Sequence, residues 1–445
     1  MTQQHTEDLA VVILAAGQGT RMKSRRAKVL HELCGRTMLG HVVASAEALG
    51  PKRLMVVVGR DAEQVEEAFA GRVEFVMQAE QNGTGHAVKQ ALPLLEGFVG
   101  DVLILYGDTP LITTETFLRM QEVKRAARAD LLMLTAVGPI PGRVVRDSAG
   151  NVERIVEAQD ATPKELEIQE RNTGVYMLSA DLVRDGIASL KADNEQGELY
   201  LTDVVGYAVQ KGLKVDALLL EDGEQCLGIN TRADLAAATD VMRRRINAEH
   251  MANGVTFIDP AQVYIDIDVK IGKDTLIEPG CVIQGETTLG EGVHLKSQCV
   301  IESSRLDNDV VIGPMAHLRP NCHLMAGVKI GNFVEIKNAT LGEGTKSAHL
   351  TYIGDATVGA GVNFGCGTIV VNYDGIAKHR STIEDNAFIG CNANLLSPVT
   401  VGENAFVAAG TTVSKDIPKD ALGVGRAKQN NIEDWAAKRA ERKKK

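Results

Sequence analysis

The sequence predicts an α/β sheet domain in the N-terminal half, followed by a solenoid of parallel β-strands. In residues 1–233, apolar strand-like runs alternate with helical patterns, whereas aliphatic residues recur every six positions from Ile265 to Val413. Alternating strands and helices are typical of a largely parallel sheet with helices on both faces. Neither an α-helix nor a half-buried strand has a period of six. Two different architectures are therefore expected in one chain.

The six-residue repeat is defined by one large inward residue, called here the marker. A small residue usually follows four positions later, and Gly often comes directly after the marker. Occasional five-residue steps, and one pause for a loop between Val370 and Ile383, interrupt an otherwise regular series: Ile265, Ile271, Ile277, Ile283, Leu289, Leu295, Ile301, Leu306, Ile312, Leu318, Leu324, Ile330, Ile336, Leu341, Ser347, Ile353, Val358, Phe364, Val370, Ile383, Ile389, Leu395, Val401, Val407 and Val413. Three such hexads make one coil of a β-solenoid. A β-sandwich is the alternative, but it rarely keeps one period for so long.

Composition narrows the class of protein. A chain of 445 residues can form two or three domains with buried cores. The net charge of −10 argues against general nucleic-acid binding. Met1–Asp8 is polar, and no apolar run approaches the roughly 20 residues of a membrane span. The seven cysteines form no CxxC pair, which favours reduced thiols and a cytoplasmic protein.

A glycine-bearing loop follows the first predicted strand, Leu9–Leu14. The loop sequence, Ala15-Ala16-Gly17-Gln18-Gly19-Thr20-Arg21-Met22, lacks both the Walker pattern and the third Gly of the dinucleotide fingerprint. Glycines let backbone N–H groups approach a phosphate, and a helix beginning beyond the loop would favour negative charge. A plain tight turn is the alternative, but the nearby cations Arg21 and Lys28 favour a phosphate site.

Asp108 follows the predicted strand Val102–Tyr106 directly, with Gly107 between them. Parallel sheets bind ligands beyond the carboxyl ends of their strands. A lone Asp there is most often a helix cap or turn residue, but a phosphate loop beside it favours a Mg²⁺ ligand. The polar loop that begins at Gln78 follows another strand and suits the recognition of a base edge.

Taken together, these segments resemble the nucleotidyltransferases that activate sugar 1-phosphates. The closest resemblance is to the bacterial bifunctional family that combines glucosamine-1-phosphate N-acetyltransferase with N-acetylglucosamine-1-phosphate uridylyltransferase. The matching stretches are Leu14–Met22, Lys28–His31, Gln78–Ala87, Tyr106–Asp108, Asn172–Gly174, Leu201–Asp203, Gly228–Asn230, Gly331–Lys337, His349–Tyr352 and Asn372–Gly375.

The resemblance implies a Rossmann-like nucleotidyltransferase domain over residues 1–233 and a linker helix over 234–262. A left-handed parallel β-helix of hexapeptide repeats over 263–425 and a basic tail over 426–445 would follow. It also implies a homotrimer with small-molecule substrates: glucosamine 1-phosphate, N-acetylglucosamine 1-phosphate, UTP and acetyl-CoA. The product would be UDP-N-acetylglucosamine, an envelope precursor.

For uridylyl transfer, the resemblance implies one set of residues for UTP and the sugar nucleotide. They are Leu14, Ala15, Ala16, Gly17, Arg21, Lys28, Gln78, Gly83, Thr84, Tyr106, Gly107, Asp108, Gly142, Glu157, Asn172 and Asn230, with Asp108 and Asn230 sharing the Mg²⁺. Two positions depart from the family pattern. Ala27 replaces the usual Pro before Lys28, and Pro141 precedes Gly142-Arg143 where the family has an aromatic residue.

Register counting places polar residues on one face of the solenoid. Leu318 and Ile336 are 18 positions apart, one full coil, so the outward residues Arg319 and Lys337 should be stacked neighbours. Stacked like charges should repel unless an anion such as a sugar phosphate lies between them. Tyr352 lies on the same face in the next coil, with His349 at the corner leading into it. Asn363 is expected near the equivalent corner one coil on.

For acetyl transfer, the resemblance implies that His349 is the general base. Arg319, Lys337, Tyr352 and Asn363 would bind the sugar phosphate, and Cys366, Asn372, Tyr373, Cys391, Ala409 and Arg426 would contact acetyl-CoA. Cys366 and Cys391 stand where the family commonly has Ala and Ser. A cysteine nucleophile is disfavoured, because register counting puts no cysteine in the column of His349.

Three functions remain open from the sequence. The first is a bifunctional enzyme with an acetyltransferase site on the solenoid and a uridylyltransferase site on the sheet domain. The second is a single-function nucleotidyltransferase whose solenoid regulates or oligomerises. The third is a non-enzymatic scaffold. Lys28, Asp108 and Asn230 argue against the scaffold, and the residues around His349 argue against the single-function enzyme.

Overall fold

The computed structural model describes residues 8–138, 140–194 and 196–443. The chain divides into two compact units between Met242 and Arg243. This division lies within a helix, Arg232–Ala252, inside the stretch 234–262 that the sequence predicts as a linker. Each unit is described separately below.

The first unit contains a twisted sheet whose strands are mostly parallel. The strands of this unit are β1 (Leu9–Leu14), β2 (Glu32–Leu33), β3 (Arg36–Thr37), β4 (Arg53–Val58), β5 (Glu74–Met77), β6 (Asp101–Tyr106), β7 (Leu131–Val137), β8 (Arg143–Arg146), β9 (Val152–Val156), β10 (Glu170–Ser179) and β11 (Val215–Leu220). The order across the sheet is β11-β7-β10-β6-β1-β4-β5, with β8 and β9 beside β10 and β2 paired with β3. Only β10 runs antiparallel to both its neighbours on the main path.

Helices cover both faces of this sheet. Successive residues of its strands point to opposite faces, so each face has its own apolar core. Val11 and Ile13 belong to one core, whereas Ala10 and Val12 belong to the other. The described helices of the chain are α1 (Met38–Glu47), α2 (Ala62–Phe69), α3 (Thr84–Ala91), α4 (Thr114–Ala127), α5 (Pro163–Leu166), α6 (Ala180–Ser189), α7 (Asp203–Gln210), α8 (Arg232–Ala252) and α9 (Trp435–Arg442). None of them is long and apolar enough to cross a membrane.

The second unit is a parallel β-helix with three faces, each a sheet of short strands. The first face consists of Thr256–Phe257, Leu276–Ile277, His294–Leu295, Val311–Ile312, Lys329–Asn332, Lys346–His349, Asn363–Phe364, Phe388–Ile389, Phe406–Val407 and Leu422–Gly423. The second face consists of Tyr264–Ile265, Val282–Gln284, Val300–Glu302, His317–Leu318, Glu335–Lys337, Tyr352–Gly354, Ile369–Val371, Asn394–Leu396 and Thr412–Val413. The third face consists of Lys270–Ile271, Thr288–Leu289, Arg305–Leu306, His323–Leu324, Thr340–Leu341, Ala356–Val358, Ser381–Ile383 and Thr400–Val401.

The marker residues form the core of this β-helix, as the period predicts. Leu318 pairs with Ile336, and Ile336 pairs with Ile353 one coil later, and all three are fully buried. The small inward slots are buried too, including Cys299 and Cys322. Burial of both residue classes leaves the neighbouring positions to face outward. The predicted fold class, a Rossmann-like domain followed by a left-handed β-helix of hexapeptide repeats, is confirmed.

Close approach between coils explains the glycines that follow the markers. A Cβ atom on Gly331 would lie 1.9 Å from the carbonyl oxygen of Ala348 in the next coil. A Cβ atom on Gly342 would lie 2.4 Å from the carbonyl carbon of Gly359. At these corners only a hydrogen atom fits between successive turns of the backbone.

Candidate active sites

A cavity of about 320 Å³ opens at the carboxyl ends of β1 and β6. Its lining contains most of the residues predicted to hold the nucleotide: Leu14, Ala15, Ala16, Gly17, Lys28, Gln78, Gly83, Thr84, Tyr106 and Asp108. A second cavity of about 650 Å³ shares Thr84, Tyr106 and Asp108 with the first, and also contains Gly142, Glu157, Asn172 and Asn230. The two cavities give one continuous cleft across the sheet edge.

The loop after β1 differs from the prediction in one respect. No long helix begins beyond its glycines; a single 3-10 turn, Thr20–Met22, takes that place, and α1 begins only at Met38. The expected helix dipole is therefore missing, and the charge near this loop comes from side chains. Gly19 adopts a left-handed conformation (φ 59°), and a Cβ atom there would lie 2.6 Å from Cβ of Lys28. This glycine lets the Lys28 side chain pass close to the loop.

Lys28 joins the two residues predicted to hold a metal ion. Its Nζ atom lies 2.5 Å from Oδ2 of Asp108 and 2.9 Å from Oδ1 of Asn230. These two oxygens, separated by 122 positions in the sequence, therefore converge on a single cationic centre. No group of three or more His, Cys, Asp or Glu side chains suited to a metal occurs in the described parts of the chain. A metal here would need additional ligands from a phosphate or from water.

Main-chain contacts fix the position of Asn230. The N–H of Ile229 donates to the carbonyl oxygen of Asp108 at 2.9 Å. Oδ2 of Asp234 accepts from the N–H groups of Asn230 and Thr231, at 2.9 and 2.8 Å. These bonds to the ionised form lower the pKa of the Asp234 carboxyl, and the Arg21 guanidinium adds to that effect. The role of Asp234 has no sequence signal apart from its place at the start of α8.

The polar loop after β5 is tied to the phosphate loop. Gln78 is buried, and its amide nitrogen donates to the carbonyl oxygen of Gly83 at 3.2 Å. Gln81, which sequence reasoning did not single out, donates from Nε2 to the carbonyl oxygen of Ala16 at 2.7 Å. The side chain of Thr84 hydrogen-bonds the Tyr106 hydroxyl, while burial raises the pKa of that phenol well above its usual range.

The sugar end of the cleft brings Gly142, Glu157 and Asn172 together. A Cβ atom on Gly142 would lie 3.3 Å from Cβ of Asn172 and 3.5 Å from Oε1 of Glu157. Burial, followed by the carboxylates of Asp160 and Asp203, raises the pKa of Glu157. The predicted residue Gly107 extends the pairing of β6 with β1, since its N–H donates to the carbonyl oxygen of Leu14 at 2.9 Å.

In the β-helix, the predicted pair of stacked cations has carboxylates beside it. Register continues from Leu318–Ile336 to Arg319 and Lys337, as expected. Nη1 of Arg319, however, lies 3.1 Å from Oε1 of Glu335, so part of the charge is already balanced. The inference that only a bound anion could relieve the repulsion was therefore too strong.

A third cation reaches the same place. The Lys378 ammonium lies against Lys337 and lowers its pKa, and Arg319 adds a smaller effect in the same direction. Lys378 comes from the loop 372–380, between the strands Ile369–Val371 and Ser381–Ile383. Lys378 could not be found from the sequence, because the hexad repeat is interrupted in this loop and gives no register from which to place a side chain.

Asp355 lies close to these cations and accepts hydrogen bonds from two amide side chains. It is 7 % exposed, and its Oδ1 and Oδ2 atoms accept hydrogen bonds from Asn338 and Asn372, respectively. Although burial opposes ionisation of Asp355, these amides and the ammonium of Lys337 leave the carboxyl pKa lowered. Asn372 is also 3.4 Å from the Tyr352 hydroxyl. The predicted residues Tyr352, Lys337 and Asn372 are thus gathered around one carboxylate.

His349 lies at the end of a strand of the first face, at the predicted corner, and is exposed. Its Nδ1 atom is 3.1 Å from Oδ1 of Asn332 in the preceding coil. Asn363 does not share this corner: it pairs with Lys346, three positions before His349. The position expected for Asn363 is wrong, because Asn363 begins its strand whereas His349 ends one.

The prediction that no cysteine falls in the column of His349 is wrong. Pairing of Ser347 with Phe364 and of Tyr352 with Ile369 sets the same 17-residue offset on both sides, which aligns His349 with Cys366. Continued pairing aligns the next two coils, so that the column runs Asn332, His349, Cys366, Cys391, Ala409. Register counting from the marker residues covered the strands and left out the corner positions, where these cysteines lie. The three residues after His349 are residues that the resemblance assigns to acetyl-CoA.

The remaining predicted contacts lie further along the same unit. Nη1 of Arg426 donates to the carbonyl oxygen of Ala409 at 2.9 Å. Tyr373 is 55 % exposed, and its hydroxyl donates to the carbonyl oxygen of Gly375 within its own loop, at 2.7 Å. The structure therefore brings Arg426 to the column and leaves the Tyr373 ring exposed on the loop 372–380.

Comparison with known proteins matches both units. Residues 11–197 match the MobA-like NTP transferase domain, and residues 268–303 and 380–415 match the bacterial transferase hexapeptide repeats. Curated proteins named "Bifunctional protein GlmU" are similar over nearly the whole chain. That of Trichlorobacter lovleyi is 47 % identical over 97 % of this chain and 98 % of its own length. Those of Geobacillus sp. (strain WCH70) and Listeria monocytogenes serotype 4b (strain CLIP80459) are both 48 % identical, over 95 and 94 % of this chain and 96 % of their own lengths. At this identity and coverage, the chain belongs to the GlmU family of bifunctional proteins.

Proposed function

We propose that this protein makes UDP-N-acetylglucosamine, a precursor of the bacterial cell wall, in two steps. Acetyl-CoA first acetylates the amine of glucosamine 1-phosphate, and UTP then transfers its uridylyl group to N-acetylglucosamine 1-phosphate. The observation that carries the proposal is the presence of two separate constellations in one family member. One surrounds Lys28, Asp108 and Asn230, and the other surrounds His349.

The uridylyl step takes place in the cleft of the sheet domain. An oxygen of the sugar phosphate attacks the α-phosphorus of UTP, the new P–O bond forms, and pyrophosphate leaves. Backbone N–H groups of Leu14–Gly17, together with Arg21 and Lys28, hold the phosphates. Gln78, Gly83 and Thr84 read the uracil. Gly142, Glu157 and Asn172 hold the sugar, and Tyr106 lies between the two ends.

Mg²⁺ fits the oxygens of Asp108 and Asn230, because they already converge on one cation. When bound, it would neutralise charge on the reacting phosphates. Lys28 would then pass from these oxygens to the phosphates of the nucleotide. Alignment and charge balance suffice for the reaction, so no covalent enzyme intermediate is required.

The acetyl step takes place along the column of His349. The neutral amine of the sugar attacks the thioester carbonyl and passes a proton to His349, as the C–N bond forms. The C–S bond then breaks, and the thiolate of coenzyme A takes up a proton. Arg319, Lys337, Tyr352, Asn363 and the newly located Lys378 hold the sugar phosphate. Cys366, Asn372, Tyr373, Cys391, Ala409 and Arg426 line the path of acetyl-CoA.

Two substitutions test this division of labour. His349→Ala should abolish release of the coenzyme A thiol while leaving uridylyl transfer from UTP unchanged. Asp108→Ala should do the reverse. Thiol release can be followed with a disulfide reagent and pyrophosphate release with a coupled phosphate assay. A wild-type protein that released no thiol from acetyl-CoA and glucosamine 1-phosphate would overturn the bifunctional assignment.

We also propose that the protein is a homotrimer assembled through the β-helix. Outward residues at one register position of the first face become apolar near its carboxyl end: Asn363 is followed by Phe388, Phe406 and Leu422. The two Phe rings stack with centroids 5.3 Å apart, and both side chains are at least 40 % exposed. An exposed aromatic stripe of this kind suits contact with further copies of the chain.

All seven cysteines are free. Reduced thiols are typical of the bacterial cytoplasm, and we place both reactions there.

A further inference from the structure

The hydrogen bond between Asn332 and His349 has a consequence for acetyl transfer. Neutral imidazole carries one proton, on either Nδ1 or Nε2, and the nitrogen that carries it cannot accept another. Oδ1 of Asn332 lies 3.1 Å from Nδ1 of His349, and an amide oxygen can only accept a hydrogen bond. The proton is therefore placed on Nδ1, which leaves the Nε2 lone pair available.

We propose that Asn332 is a positioning residue for acetyl transfer, which fixes the His349 tautomer with its proton on Nδ1 and presents Nε2 to the substrate amine. This inference rests on the proposed role of His349 as the general base. Asn332 acts through His349 and contacts no reacting atom.

The fold holds the two residues in register. The backbone of Asn332 pairs with that of His349 in the adjacent strand, and the N–H of Leu350 donates to the carbonyl oxygen of Asn332 at 3.1 Å. Each residue precedes a left-handed residue at the same corner, Phe333 (φ 57°) and Leu350 (φ 44°). The hydroxyl of Thr351 adds a bond to the carbonyl oxygen of His349 at 2.7 Å. The side-chain bond thus spans two corners of matching conformation, and little freedom is lost in forming it.

Other titratable groups lie on the elements that pack against this corner. They are Lys329 and Glu335 in the coil before, Lys346 on the same strand, Cys366 in the coil after, and Tyr352 on the following strand. The His349 ring is hydrogen-bonded to the neutral side chain of Asn332. A neutral acceptor fixes the tautomer of His349 and places no charge beside the imidazole ring.

Three variants separate positioning from structural support. Asn332→Ala removes the acceptor and should lower kcat of acetyl transfer about tenfold to a hundredfold, since part of the general-base contribution is lost. Asn332→Asp keeps the acceptor and adds a negative charge, so it should recover activity at high pH. The acid limb of its kcat/KM profile should move up by about one pH unit, because a nearby carboxylate stabilises imidazolium.

Asn386→Asp is the matched control. Asn386 is exposed at a different corner of the β-helix and is left-handed (φ 57°), a conformation that Asp also tolerates. The Asn386→Asp variant makes the same change of charge and should leave the pH profile of acetyl transfer unchanged. Thermal unfolding of each variant shows whether the β-helix has formed.

A second readout is independent of acetyl transfer. Diethyl pyrocarbonate acylates neutral imidazole, so the pH dependence of His349 modification, followed by mass spectrometry, reports its pKa directly. This pKa should rise by about one unit in Asn332→Asp and stay in place in Asn386→Asp. If the wild-type protein lacked acetyltransferase activity, this measurement would still decide whether the two side chains are coupled.

Two results would overturn the inference. One is an Asn332→Ala variant that folds and keeps the wild-type kcat and pH profile. The other is an Asn332→Asp variant that shows no recovery at high pH and no change in the His349 pKa.

Discussion

In the sheet domain, the Lys28 ammonium occupies the point at which Asp108 and Asn230 converge. The ion pair is well shielded, since the side chains of Lys28 and Asp108 are only 10 and 22 % exposed. A divalent cation that binds the same oxygens must displace this ammonium. Nucleotide phosphates would offer Lys28 another anionic partner, so metal and nucleotide should bind cooperatively.

Lys28→Met should therefore tighten the binding of Mn²⁺ to the nucleotide-free protein by about tenfold, because the competing internal cation is removed. The same change should slow uridylyl transfer, since Lys28 is proposed to hold the phosphates. Titration of free Mn²⁺ by electron paramagnetic resonance measures the affinity. Arg25→Met removes an exposed charge from the same segment and should leave Mn²⁺ binding as in the wild type. Equal Mn²⁺ affinity in the wild type and Lys28→Met would count against the competition.

Some residues of both sites could be found from the sequence because they follow a strand or share a register. Asp108 and His349 are of this kind. Lys378 and Asp355 are not, because one lies in a loop without a register and the other depends on two amides from neighbouring coils. The bond from Asn332 to His349 also needs coordinates, since register places residues side by side without giving side-chain rotamers.

Among the elements, the β-helix was predicted more fully than the phosphate loop. A six-residue period fixes which residues are buried, and the paired strands follow it even through the five-residue steps. The loop after β1 has no comparable constraint, and its expected helix was replaced by a 3-10 turn. Regular elements are specified by repeated burial, whereas the geometry of a loop depends on a few individual contacts.

Gly331→Ala should destabilise the β-helix by about 1–3 kcal/mol, because the new methyl group must displace the backbone of Ala348. Differential scanning calorimetry should show a lower melting temperature for this unit. Gly206→Ala is the matched control in α7, where a Cβ atom would meet nothing within 4 Å. There the change should stabilise the helix by up to about 1 kcal/mol. Similar melting temperatures for Gly331→Ala and the wild type would show that the coils can move apart.

At the scale of the whole molecule, the charge and the absence of a long apolar helix in the described residues set few limits on function. The order of the two units sets many more, because this chain matches an NTP transferase domain followed by hexapeptide repeats and aligns with the GlmU relatives along nearly their full length. The fold class could be predicted because each architecture has its own period. The assembly could not, because outward residues have no periodic requirement.

The proposed trimer should have a mass near three times the 47.7 kDa of the chain. Light scattering coupled to size-exclusion chromatography measures this mass. The double change Phe388→Ser and Phe406→Ser should lower it, because the exposed aromatic stripe is lost. Val99→Ser changes an apolar residue of the sheet domain that is more exposed than either Phe, and it should leave the mass unchanged. A wild-type protein that elutes as a monomer at micromolar concentration would contradict the assembly.

The column from His349 to Ala409 has a consequence for how such an enzyme can diverge. Its base and its three proposed coenzyme contacts lie on successive coils, each roughly 5 Å further along the axis. A whole coil added beyond Ala409 would lengthen the groove and leave the base untouched, whereas a partial coil would rotate every later residue to another face. Acyl donors with longer arms could therefore be accommodated by duplication of entire coils, a modular change that preserves the chemistry.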